Sequence, residues 1–158
     1  MVGRLRRLRG DERGFTLAEL MVVIIIMGIV FTTASFTWFG AIESRRVDSA
    51  TNQVVADLRL AHTQATNHLT DSTFIVTANS STYTIESAGD TDTRTLPGDD
   101  QGTPKTKIVA ATMIVFKPDG TAEIDPAGDI TVAALDNDPA HTIEVNPVTS
   151  RVQVQVDP

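Results

Sequence analysis

A run of 23 residues without a charged side chain, Leu20–Ile42, limits the folds open to this chain. An α-helix rises about 1.5 Å per residue, so this run would extend over about 30 Å or more, the thickness of the hydrocarbon core of a bilayer. The run therefore predicts a membrane-spanning helix close to the N-terminus.

Charge is distributed unevenly on the two sides of this run. Residues 1–14 have a net charge of +3, whereas residues 43–158 contain 8 basic and 17 acidic residues and have a net charge of −9. A basic head, an apolar span and an acidic body are typical of a single-pass membrane protein. The positive-inside rule then predicts a cytoplasmic N-terminus and an extracytoplasmic C-terminal body.

A cleaved secretory signal peptide is the alternative interpretation of the same run. Its apolar core usually has about 7–15 residues and ends at a small-residue cleavage site. Here the run is longer, and the small residues around Ala34 precede Phe36, Trp38 and Phe39 in place of a polar segment. A retained helix is the favoured interpretation, and cleavage near Ala34 stays open.

One acidic residue, Glu19, lies at the start of the apolar run. A carboxylate inside a membrane costs a few kcal/mol, about 2.5–3.5 on insertion scales, and indicates a functional residue by default. The other interpretation is that Glu19 lies at headgroup level and marks the start of the helix. Physical chemistry alone leaves both open.

The residues around Glu19 resemble a known processing signal. The string Arg13-Gly14-Phe15-Thr16-Leu17-Ala18-Glu19-Leu20, followed by an apolar helix, resembles the class III signal of type IV pilins and type II secretion pseudopilins. The resemblance implies that a prepilin peptidase cuts between Gly14 and Phe15 and that Phe15 becomes the N-methylated first residue. It also implies that Glu19 pairs with the positive N-terminus of a neighbouring subunit during filament assembly.

The helix is predicted to continue beyond the membrane, from about Phe15 to Asn67, because no proline occurs before residue 97. Apolar residues recur at helical spacing on this continuation and form one stripe between polar residues. The stripe consists of Val47, Val54, Leu58, Ala61 and Ala65. It predicts a helix that packs on a sheet.

Beyond Leu69 the sequence is typical of β-structure. Thr73–Thr77 and Thr82–Glu86 predict a hairpin, and residues 87–107 predict a polar loop. A strand over Lys107–Phe116, a Pro-Asp-Gly turn at residues 117–120 and short strands near residues 121–124, 130–134, 141–145 and 151–156 follow. The fold class predicted is α+β, with one long helix packed on a mostly antiparallel sheet of six or seven strands.

The C-terminal half resembles the GspH/FimT-type minor pseudopilins. The resemblance rests on Ile114–Thr121, with its Phe-x-Pro-x-Gly turn, and on Thr142–Val145 followed by Thr149–Val152. The subfamily often has glycine where this chain has Ser150, and some DNA-uptake members have a Gly-Arg-x-Arg motif that Ser150–Gln153 lacks. The chain is divided accordingly into a leader (1–14), a membrane or filament-core helix (15–42), an amphipathic helix (43–69) and a β-rich domain (70–158).

Two kinds of binding site, for nucleic acid and for calcium, are considered beside these interpretations. Nucleic-acid binding needs clustered cations, and the acidic body offers only Arg94, Lys105 and Lys107, with Arg151 as a further candidate. Calcium could use carboxylates of one loop (Asp90, Asp92, Asp99, Asp100) or another (Asp136, Asp138), but their spacing matches no known calcium loop, and solvated acids are favoured.

Catalysis, a metal centre and a cofactor have no support in the sequence. His62 and His68 do not share a helix face, His141 stands alone, and the absence of cysteine excludes a thiol nucleophile. The favoured function is the structural one that the resemblance implies, a minor pseudopilin or minor pilin at a filament tip. Its expected partners are prepilin peptidase, other pilins, the inner-membrane assembly platform and the lipid bilayer. The alternatives are a DNA-binding minor pilin of a DNA-uptake pilus and a plain membrane-anchored β-domain.

Overall fold

A computed structural model of the chain describes residues 15–99 and 101–156, and describes Phe36, Thr37 and Val156 by their backbone alone. The predicted leader with Gly14, and Asp100 of the calcium hypothesis, lie outside the described residues. The chain divides into two compact units, Met1–Phe39 and Gly40–Pro158.

The described part of the chain contains one helix and nine strands. The helix α1 is Leu17–His68, so it begins and ends within two residues of the predicted limits. The strands are β1 (Ser72–Val76), β2 (Thr82–Ser87), β3 (Asp90–Thr95), β4 (Thr106–Ile108), β5 (Thr112–Phe116), β6 (Ala122–Asp125), β7 (Ile130–Ala134), β8 (Ala140–Val145) and β9 (Val152–Val156).

In the first unit, α1 exposes its large apolar side chains along Leu20–Phe31 and at Trp38 and Phe39. This helix is long and apolar enough to cross a membrane, by length and composition. Its hydroxyl groups bond within the helix: Thr32 Oγ1 donates to the Gly28 carbonyl at 2.8 Å. In hydrocarbon such internal bonds spare a hydroxyl the cost of having no partner.

In the second unit, α1 buries the predicted stripe. All five stripe residues, Val47, Val54, Leu58, Ala61 and Ala65, are fully buried. From Val54 onward they share one hydrophobic core with side chains of β1, such as Phe74, and of β7, such as Val132. The prediction of a helix packed on antiparallel β-structure is confirmed.

The strands form two antiparallel sheets in place of the single sheet of six or seven strands that was predicted. One sheet has the order β3-β2-β1-β5-β6 and the other the order β4-β7-β8-β9. The predicted β1–β2 hairpin is present, with Phe74 paired to Ile85. The Pro-Asp-Gly turn is also present: Gly120 adopts a φ of 87° and its N–H donates to the Lys117 carbonyl at 3.1 Å.

The prediction from sequence lacked two of the nine strands, β3 and β4, for two reasons. Residues 87–107 are not one polar loop, because Asp90–Thr95 pairs with β2. The predicted strand Lys107–Phe116 is two strands: β4 pairs with β7 and β5 pairs with β1, in different sheets. The chain leaves one sheet and enters the other at residues 109–111. A change of sheet leaves no mark in a continuous apolar pattern, so the sequence could not reveal it.

Candidate functional site

The start of α1 has the geometry of a capping box. Thr16 precedes the first helical residue, and its hydroxyl oxygen accepts a hydrogen bond from the Glu19 N–H at 3.2 Å. In return, Glu19 Oε2 accepts from the Thr16 N–H at 2.9 Å and from the Thr16 hydroxyl at 3.0 Å. This reciprocal arrangement satisfies backbone donors that the first turn of a helix otherwise leaves unpaired.

The capping box gives Glu19 a local task that the sequence analysis left open. Its carboxylate lies at the start of the helix, where one of the two interpretations placed it. Both hydrogen bonds that the carboxylate accepts from Thr16 use Oε2. No described residue donates a hydrogen bond to Oε1, the second oxygen of this carboxylate. Thr16 was missed in the sequence analysis, although Thr-Leu-Ala-Glu before an apolar run is itself a capping-box signal.

The residues of the predicted cut lie directly before this box. Phe15 is 86% exposed, so its side chain is available to another molecule, while Gly14 lies outside the described residues. The structure thus places Phe15 and Thr16 directly before α1 and Glu19 in its first turn. That end carries a carboxylate, an exposed aromatic ring and the positive pole of the helix dipole.

A second polar cluster lies in the β-rich unit and joins α1 to β2 and β3. Asp57 is buried on α1; its Oδ2 accepts from the Tyr83 hydroxyl at 2.5 Å and its Oδ1 accepts from Arg94 Nη1 at 2.7 Å. Gln53 Nε2 donates to the Tyr83 hydroxyl oxygen at 2.8 Å. Burial raises the pKa of Tyr83, and the bond to Asp57 raises it further. The cluster is suited to holding helix and strands together.

Three of the four cations considered for nucleic-acid binding already contact acceptors of the chain itself, among them Lys105, whose Nζ is 3.4 Å from Asp99 Oδ2. Arg94 is paired with Asp57 and with Asp92, at 2.7 and 2.9 Å. Lys107 on β4 donates to the Leu135 carbonyl at 2.9 Å. Arg151 precedes β9, at the opposite edge of the same four-stranded sheet. Three strand spacings of about 4.8 Å separate those edges.

The calcium candidates are also dispersed. Asp90 and Asp92 lie on β3 and not in a loop, which corrects the grouping made from sequence. Asp99 instead organises its own loop by accepting from the N–H groups of Gln101 and Thr103, both at 3.0 Å. Among the described residues no group of three His, Cys, Asp or Glu side chains could hold a metal ion.

The histidines occupy separate environments. His62 packs edge-on against Phe116 with ring centroids 5.9 Å apart. His141 is buried on β8, with Nε2 3.3 Å from Asp48 Oδ1, and His68 is exposed at the end of α1. Within residues 15–99 and 101–156 they form no common centre.

Ser150, at a position where the subfamily that the sequence resembles often has glycine, adopts a left-handed backbone conformation with a φ of 52°. This conformation favours glycine, which has no Cβ to clash with the carbonyl oxygen. The Ser150 hydroxyl donates to the Gly120 carbonyl at 2.8 Å, so serine ties the last turn to the Pro-Asp-Gly turn.

Comparison with known families gives two matches that lie on these two units. A family profile described as a prokaryotic N-terminal methylation motif matches residues 9–35. A second profile, described as type II transport protein GspH, matches residues 50–149, which is more than half of the chain. Neither the curated proteins nor the solved structures include a match.

Proposed function

The chain belongs to the GspH family of type II transport proteins, a structural family of pseudopilins, and on that premise we propose that it is a minor pseudopilin at or near a filament tip. Single-pass anchoring in the inner membrane is consistent with the apolar helix and the methylation motif. The finer proposal is that residues 1–14 stay in the cytoplasm as a leader and that the β-rich domain, residues 70–158, lies outside it.

The observation that carries this proposal is the methylation-motif match over residues 9–35, which includes the junction and the first part of the apolar helix. We propose cleavage between Gly14 and Phe15 followed by N-methylation of Phe15. Glycine before the scissile bond presents no side chain to a peptidase working at the membrane surface. The arginines of the leader are attracted to the anionic cytoplasmic face.

Assembly would follow through residues 15–42, with Glu19 as the residue that fixes the register. The new N-terminus of a neighbouring subunit is cationic. If it pairs with the Glu19 carboxylate, the free-energy cost of an unpaired charge in an apolar environment is reduced. The geometry supports this role, because the capping box holds the carboxylate at the helix start and no described residue donates to its Oε1. Residues 43–69 would connect this helix to the β-rich domain.

The test is to co-express the chain with a prepilin peptidase and to determine its intact mass and N-terminal sequence. We expect a mature chain that begins with N-methyl-Phe15, and a full-length chain when the peptidase is omitted. The variant Gly14→Ala should slow the cut. A chain that stays full-length, or one cut near Ala34, would contradict the proposal and favour an anchored or secreted β-domain.

A further inference from the structure

A groove of about 290 Å³ opens in the β-rich unit between the last turns of α1 and the β2–β3 hairpin. Leu60, Gln64 and His68 line one wall, and their spacing of four residues places them on one face of the helix. Alternate residues of β3, namely Asp90, Asp92 and Arg94, line the other. The groove is therefore a product of the regular elements and not of a loop.

The strand register explains why charge lies in this groove. Asp92 pairs with Ile85, and Asp90 pairs with Ser87, on the same face of the sheet. Ile85 is buried, whereas Asp90 and Asp92 are exposed because β3 is the edge strand. The acidic side chains of Asp90 and Asp92 thus lie beside the buried apolar side chain of Ile85.

The charges of the groove are not balanced by its own residues. Arg94 is the cation of the β3 row, and it already contacts both Asp57 and Asp92. Asp90 Oδ1 accepts a hydrogen bond from the adjacent Thr91 N–H at 3.1 Å, and no described cation pairs with it. Among the Asp and Arg side chains that line the groove, one guanidinium therefore faces two carboxylates, and the same guanidinium is also bound by the buried Asp57 outside the lining.

The groove also offers apolar contact and further acceptors. Leu60 is 39% exposed at the rim and can cover a flexible aliphatic chain. Gln64 Oε1 and Ser87 Oγ are shielded from solvent and have no hydrogen-bond partner among the described residues. Long cationic side chains combine a methylene stem with a donor-only head group, and such side chains fit this combination.

We propose that this groove receives a lysine or arginine side chain of a neighbouring filament subunit. The stem packs against Leu60 and Ile85, and the cationic head lies near the Asp90 and Asp92 carboxylates. The reference to a filament subunit rests on the proposed function, whereas the recognition of a cationic side chain rests on the groove alone. The competing explanation is that inward-facing acids only keep the edge strand β3 from pairing with other strands.

The experiment uses the full chain, ¹⁵N-labelled in detergent micelles, titrated with blocked tripeptides Gly-Lys-Gly and Gly-Arg-Gly. The control peptide Gly-norleucine-Gly has the aliphatic stem without the charge. We expect amide shifts confined to α1 near Gln64 and to the β2–β3 hairpin, with the cationic peptides only. Asp90→Asn should weaken their binding by about two- to fivefold, the range of an exposed ion pair.

The matched control is Asp129→Asn, because Asp129 is exposed in the connection between β6 and β7 and does not line the groove. It removes the same charge and should leave binding unchanged. Shifts spread over the acidic surface, equal effects of the two variants, or equal binding of the norleucine peptide would overturn the proposal and favour edge protection. Since the probes are peptides, this result is independent of leader cleavage and of assembly through Glu19.

Discussion

At the scale of single residues, the β-rich unit depends on one buried carboxylate on the helix. Asp57 accepts hydrogen bonds from Tyr83 and from Arg94, which come from two different strands. A buried charge is costly unless it is paired and hydrogen-bonded. Asp57 meets this condition only when helix and strands are docked, so the cluster specifies how they pack.

Tyr83 makes this cluster sensitive to alkaline pH. An unfolded tyrosine has a pKa of about 10, and burial followed by the bond to Asp57 raises the pKa of Tyr83 in the folded chain. Below pH 10 the phenol is protonated in both states, and its contribution to stability is fully present. Above pH 10 the unfolded chain releases the proton first, so the free energy of unfolding should fall by up to about 1.4 kcal/mol per pH unit.

The measurement compares the full chain with Tyr83→Phe in chemical unfolding between pH 8 and pH 11. We expect the difference between the two free energies of unfolding to shrink above pH 10. Tyr83 is the one tyrosine of the chain, so tyrosinate absorbance reports its titration directly. An ordinary titration near pH 10 in the folded chain would contradict the prediction.

At the scale of elements, the β2–β3 hairpin shows where sequence patterns lose information. Ser87 pairs with Asp90, so the connection has two residues, Ala88 and Gly89, with φ values of 51° and 85°. Positive φ at both positions is the signature of the type I′ turn, which usually contains Asn-Gly or Asp-Gly. Alanine at the first position and three acidic or basic residues in β3 concealed the hairpin.

The replacement Ala88→Asn should stabilise this hairpin. Asparagine adopts the left-handed conformation at lower cost than alanine, so we expect a gain of about 0.5–1 kcal/mol. Hydrogen exchange of the β3 amides should become slower by the factor that corresponds to this gain in stability. Ala110→Asn is the control, since Ala110 is exposed in the β4–β5 connection without a positive φ. Equal effects of the two variants would indicate a general effect of asparagine.

At the scale of the whole molecule, residue patterns that repeat within one element were predictable from sequence. The helix and its buried stripe are predicted by apolar residues that recur every three or four positions. The Pro-Asp-Gly turn is predicted by the backbone preferences of its own residues. The two-sheet arrangement depends on which strands pair over long separations, such as β4 with β7. Likewise, the partners of Asp57 come from strands 26 and 37 residues away, a distance that no local pattern encodes.

The site at the helix start needs an experiment that separates capping from charge pairing. Glutamine can close a capping box as glutamate does, so Glu19→Gln should keep the helix start and remove the charge. Thr16→Val should do the reverse, weakening the cap by about 1 kcal/mol while keeping the carboxylate. If Glu19 pairs with the N-terminus of a neighbouring subunit, only Glu19→Gln should lower the amount of subunit in sheared filaments, by about tenfold or more.

Both variants should still lose the leader when a prepilin peptidase is present, because both replacements follow the scissile bond and leave Gly14 and Phe15 unchanged. Intact mass measured on the same cells therefore separates a processing defect from an assembly defect. If Thr16→Val lowers incorporation as strongly as Glu19→Gln does, the helix start itself is required and the capping role accounts for Glu19. If neither variant changes incorporation while both are processed, assembly does not depend on this carboxylate, and contacts along the apolar helix must set the register.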